Sequence, residues 1–160
     1  MDVNNNQEKT AAAVAYLRQG WLSQAFLLLS ELKAQKDPAA HFALGLCHFR
    51  AGELPAAVSC FEQALQLLKT SSAHGLSVPQ RTAAENSETF LKLAAGQIAD
   101  KTYLNPMDAD FCALFPKAAE QNVLMAMIDV YQQMGMNEKA KRLSGSLAGP
   151  VFEEYKKGIP

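Results

Sequence analysis

The 160-residue chain predicts an all-α fold, a short α-solenoid of stacked helical hairpins, on three observations. Apolar residues recur at three- and four-residue steps through most of its length. Gly20, Gly52 and Gly135 each stand where such a run stops. A skeleton of small, aromatic and turn residues between Ala40 and Leu65 occurs again 32 positions earlier. A hairpin of two helices cannot bury its apolar face alone, so such repeats stack and leave an inner surface suited to holding another protein segment.

The elements follow in order. Residues 7–19 carry Ala11, Val14, Ala15 and Leu17 at helical spacing, and Gly20 closes the run as a C-terminal glycine does. A second helix is expected from about Leu22 to Gln35 through Ala25, Leu28, Leu29 and Leu32. Asp37-Pro38 then starts a third, with proline in the first turn where its missing N–H costs nothing. That helix runs to Arg50, Gly52 turns the chain, and a fourth helix is expected from about Pro55 to Lys69.

The two hairpins superpose at one offset. Ala13 pairs with Gly45, Tyr16 with His48, Gly20 with Gly52, Leu22 with Leu54, Ala25 with Ala57, Leu29 with Phe61 and Leu32 with Ala64. Small residues are expected where paired helices approach most closely, and large ones in the wedge between hairpins. There burial contributes roughly 1.5 to 3 kcal/mol per large side chain. On these residues the chain resembles the tetratricopeptide repeat family, with Leu44-Gly45, Gly52, Ala57, Phe61 and Ala64 at the family's intervals. His41 and His48 replace aromatic residues of that pattern, Lys69 stands at the place of its final proline, and the period is two residues short.

A third, degenerate copy is placed with Tyr131 at the aromatic position, Gly135 at the turn, Ala140 at the small position and Leu147 at the end. Ile128 stands at its small-residue site and Ser144 at its large aromatic site, which predicts looser packing or another crossing angle. The division is therefore 6–37, 38–70, a helical insertion at 71–120, 121–149, and a C-terminal cap at 150–160. Within the insertion a loop is expected over 70–78. A long helix should then run from Pro79 to Tyr103 with Leu91, Ala94, Ala95 and Ile98 on one side, followed by a short helix capped by Asp108 and another opening at Pro116. In the cap, Val151, Phe152 and Tyr155 would cover the end of the stack.

Composition narrows the function. Fifteen Lys and Arg against sixteen Asp and Glu, interspersed, leave no basic stripe for phosphates, so nucleic acid is not an expected partner. The polar, acidic start lacks a secretory pattern and no apolar run reaches spanning length, so a soluble, cytoplasmic protein with no membrane partner is expected. Cys47, Cys60 and Cys112 are an odd number without close pairing and fit buried thiols. His41, Cys47 and His48 are the nearest approach to a metal cluster, but both histidines fall on packing positions and no second ligand pair follows. Ser71, Ser72 and His74 lack a nucleophile elbow, and no phosphate-cradling glycine loop or calcium loop is present. The expectation is a non-enzyme with no cofactor and no metal.

The resemblance implies that the first helix of each hairpin lines a groove. The matching positions are Thr10, Val14, Leu17 and Arg18; Phe42, Leu46, Phe49 and Arg50; and Met125, Asp129, Gln132 and Gln133. The Lys, Asn and Arg set with which some family members hold a partner's C-terminal carboxylate is absent. The expected partner-binding residues are Val14, Leu17, Arg18, Phe42, Leu46, Phe49, Arg50 and Asp129, an apolar stripe with arginines beside it. A monomer rarely leaves such a stripe open to water. Either the 79–103 helix closes it, or a peptide or helix of a partner protein binds there as on an adaptor. A homodimer and a chaperone-like holder are the other readings within the binding class.

Overall fold

Three glycine turns in this chain are built by the same hydrogen bonds. The N–H groups of Gly20, Gly52 and Gly135 donate to the carbonyls of Leu17, Phe49 and Gln132 at 3.1, 3.1 and 3.0 Å. Those of Trp21, Glu53 and Met136 reach back five residues, to Tyr16, His48 and Tyr131, at 2.8, 2.9 and 2.8 Å. This is the helix-ending motif that satisfies the last carbonyls by placing one residue in the left-handed region. The three glycines have φ of 85°, 80° and 73°.

The computed structural model describes residues 2–32, 36–72 and 84–160, and every regular element among the described residues is helical. Hairpin one is α1 (Asp2–Gln19) and α2 (Leu22–Ser30), and hairpin two is α3 (Pro38–Ala51) and α4 (Leu54–Ser72). The insertion holds α5 (Glu88–Ala99), a 3-10 turn at Thr102–Leu104 and α6 (Ala109–Leu114). Hairpin three is α7 (Pro116–Gln133) and α8 (Asn137–Ser144), and a 3-10 turn at Pro150–Phe152 leads into α9 (Glu153–Lys157). The predicted starts hold where they can be seen. Asp37 accepts the Ala39 N–H at 3.0 Å with Pro38 behind it, and Asp108 accepts that of Phe111 at 2.8 Å.

Stacking follows one rule. The second helix of each hairpin packs on the first helix of the next, α2 on α3 and α4 on α7. The insertion is therefore looped out of the stack, and hairpin three is the direct neighbour of hairpin two. The matched positions are equivalent in burial: Ala13, Ala25, Ala57, Phe61, Ala64 and Ala140 are fully buried, with Leu29 and Leu32 nearly so.

At the tightest crossing a Cβ on Gly45 would stand 2.5 Å from the Phe61 ring, so the glycine is what lets that ring lie flat on α3. Phe61 also meets Phe42 of that same helix, α3, at 5.3 Å between ring centroids. In hairpin three the same two places hold Ile128, fully buried, and Ser144, 8% exposed. Bulk has moved from one helix to the other. The Ser144 hydroxyl, left in a largely buried place, donates to the Lys141 carbonyl at 2.6 Å.

The insertion differs from its expected form. In place of a helix to Tyr103, α5 begins at the Ser87 cap and stops at Ala99, and the expected start at Pro79 lies outside the described residues. None of its residues is buried, and only Leu91, Ala94 and Ile98 are half-covered. It packs on the two 3-10 turns at 102–104 and 150–152 and does not lie across α1 and α3. The segment against α3 is α6, whose Cys112 joins Phe42, Leu46 and Tyr103 in the larger apolar cluster. In the cap, Phe152 is buried and Val151 and Tyr155 pack against that same cluster, with the Tyr155 hydroxyl 3.5 Å from the Met125 carbonyl of α7.

Candidate functional site

The residues expected on an inner face, carried by the first helices α1, α3 and α7, fall into three groups. Val14, Phe42 and Leu46 are in the interior, at 2, 0 and 3% exposure. Val14 belongs to the smaller cluster between hairpins one and two; Phe42 and Leu46 belong to the larger cluster that α6 and the 102–104 turn help to close. Position on the first helix predicts an inner face for them, whereas all three are interior and the insertion packs over Phe42 and Leu46. Leu17 and Phe49 are half-buried, each packed against one of the two clusters. Arg18 and Arg50 are exposed at the ends of α1 and α3. Arg18 reaches Asp108 at 3.6 Å, a solvent-exposed pair of the kind worth about 0 to 1 kcal/mol.

Asp129 is set apart from the rest. It occupies on α7 the place that Leu46 has on α3, yet it is a carboxylate only 6% exposed. The Tyr103 hydroxyl donates to its Oδ2 at 2.9 Å, and the Lys101 ammonium lies 3.5 Å from the same oxygen. Burial first, and the Asp129 charge next, push the Tyr103 hydroxyl far up, so it stays a proton donor throughout the physiological range. The same two causes raise Tyr155, whose ring meets that of Tyr103 edge-on at 6.1 Å. These groups line a cleft of about 390 Å³ completed by α5 and the C-terminal turn, with Ala95, Ile98, Val151 and Ile159 as its apolar wall. Sequence reasoning had Asp129 on the inner face. Its partners, 26 and 28 residues upstream, carry no local signal that would have joined them to it.

His48 and the cysteines have packing roles, and His74 lies outside the described residues. His48 lies edge-on to Phe26 at 5.7 Å, and its Nδ1 is 2.6 Å from Glu53. Cys47 and Cys112 are buried thiols and Cys60 is half-buried. Burial and the neighbouring Cys60 raise Cys47 to about 11. Burial, Asp37 and Asp108 raise Cys112 to about 12, so neither is a ready nucleophile near neutral pH. Among the described residues no group of three His, Cys, Asp or Glu is placed to hold a metal ion, and no helix is long and apolar enough to cross a membrane.

One register, one turn and one stacking rule define a helical-repeat protein. Residues 38–71, which are α3 and most of α4, match the family model of the tetratricopeptide repeat. Hairpin two thus carries a tetratricopeptide repeat, and such repeats generally mediate protein–protein interaction. No curated protein and no solved structure gives a significant match.

Proposed function

We propose that this chain is a protein-binding adaptor that takes a peptide or helical segment of a partner along the inner face of α1, α3 and α7. The observation that carries the reading is the tetratricopeptide match on hairpin two, flanked by hairpins that share its turn and stacking. Val14, Phe42 and Leu46 are interior, the last two beneath the insertion, and leave the contacts to their neighbours. Leu17 and Phe49 offer partly exposed apolar contacts, and Arg18 and Arg50 offer charges for acidic residues of the partner.

The test is a set of surface variants, Phe49→Ser, Arg18→Glu and Arg50→Glu, each checked for unchanged helicity before use. They should lose proteins that the parent chain captures from its native lysate. An unchanged set of captured proteins from all three folded variants rejects this face as the docking surface.

Self-association is a second reading, favoured by hairpin one, where Trp21 and Leu27 are 55% and 66% exposed. A solution mass that stays monomeric over a wide concentration series removes it.

A further inference from the structure

The Asp129 cleft holds an internal cation in an awkward posture. Lys101 follows the end of α5 with φ 55° and ψ 38°, and it is the non-glycine residue with positive φ among the described residues. Glycine or asparagine is the ordinary occupant of such a position, because a Cβ is strained there. From it the Lys101 side chain stays 62% exposed while its ammonium lies 3.5 Å from Asp129. That pairing is long and open to water, so it is readily exchanged. The carboxylate, by contrast, is fixed: it is buried, and Tyr103, itself 2% exposed, holds one of its oxygens. A buried carboxylate with one neutral donor and one loosely held ammonium still favours a better-placed cation.

The walls say which cation. Tyr155 presents ring surface, Ile98 and Val151 present aliphatic surface, and Glu154, ion-paired with Lys157 at 2.9 Å, is a second acid in the lining. Aliphatic and aromatic walls suit a methylene stem, and an acid at the end of them suits an ammonium head. We propose that this cleft reads a lysine of the bound protein segment, whose ammonium displaces Lys101 from Asp129. The proposal rests on the inner face being the docking surface, and it names one residue type that the partner must carry.

The test uses the full chain and a blocked pentapeptide, acetyl-Gly-Gly-Lys-Gly-Gly-amide, followed by NMR shifts of the Tyr103 and Tyr155 ring protons. Saturable binding is expected. It should tighten by about three-fold or more in Lys101→Gln, because removing an internal competitor raises the fraction of open sites. It should vanish in Asp129→Asn and for the peptide with norleucine in place of lysine. If Asp129→Asn does not fold, the Lys101→Gln and norleucine arms decide. No shift with the parent and Lys101→Gln chains, equal binding of the norleucine peptide, or no gain in Lys101→Gln overturns the proposal. So does butylamine binding as tightly as the peptide, since the site would then serve a free amine. Failure here together with lost capture by the Phe49 and arginine variants would leave the adaptor reading standing, so the two can be told apart.

Discussion

Hairpins two and three have the same turn, the same stacking and opposite distributions of bulk. In hairpin two the first helix gives way, with Gly45 under the Phe61 ring; in hairpin three the second helix gives way, with Ser144 facing the place of Ile128. The family pattern survives in the first and is lost from the second, although the core stays closed in both. What the fold requires at this crossing is a summed volume, and which helix supplies it is open, as expected for interiors packed to crystal-like density.

That comparison can be broken most severely at Gly45. Gly45→Ile forces Phe61 or α3 to move and should cost about 3 kcal/mol, at the top of the usual overpacking range. Ser144→Phe makes the mirror error in hairpin three and should cost about 2 kcal/mol, less because Ser144 keeps some exposure. Both are read from urea unfolding midpoints. The turns sharpen the comparison from the other side. Gly20, Gly52 and Gly135 have open space around a would-be Cβ, so Gly→Ala at each meets backbone strain alone and should cost a similar ~1 kcal/mol. Unequal costs would show that the three turns are not equivalent.

The smallest effect is electrostatic and compares hairpin two with the insertion. Cys47 and Cys112 hold their protons to about 11 and about 12, above the ordinary thiol value of 9.0. The unfolded chain releases those protons first, so stability is intact below pH 9 and falls as pH rises through the folded values. The loss should be on the order of 1 kcal/mol per thiol by pH 10. Replacing Cys47 or Cys112 by Ala should flatten the pH 9–11 limb of a stability profile, and an unaltered limb would show that the thiol does not contribute.

Much of the fold could be read from residue order because its signals are local. A glycine at a helix end, an aspartate before a proline and an alanine at a crossing each act within one turn of chain. The insertion could not be read that way. Leu91, Ala94, Ala95 and Ile98 have helical spacing, yet Ala95 is exposed and the other three are only half-covered, because what packs against α5 are two turns far apart in sequence. The cover on α3 came instead from α6, a six-residue helix too short to show a period. The site was legible to a similar depth. Position alone predicts Phe42 and Leu46 on an inner face, and only three-dimensional contact shows that the insertion closes over them. Register places Asp129 on a first helix, but its contacts with Tyr103 and Lys101 follow from no spacing rule.

If the hairpins share one geometry in which the two facing positions trade volume, a double-mutant cycle at the Gly45–Phe61 crossing shows it. Phe61→Ser alone should cost about 3 to 5 kcal/mol through the cavity it leaves. Combined with Gly45→Ile it should recover about 1 to 3 kcal/mol of the summed losses, because the pair then copies hairpin three. A double variant as unstable as the sum of its two singles would contradict the account.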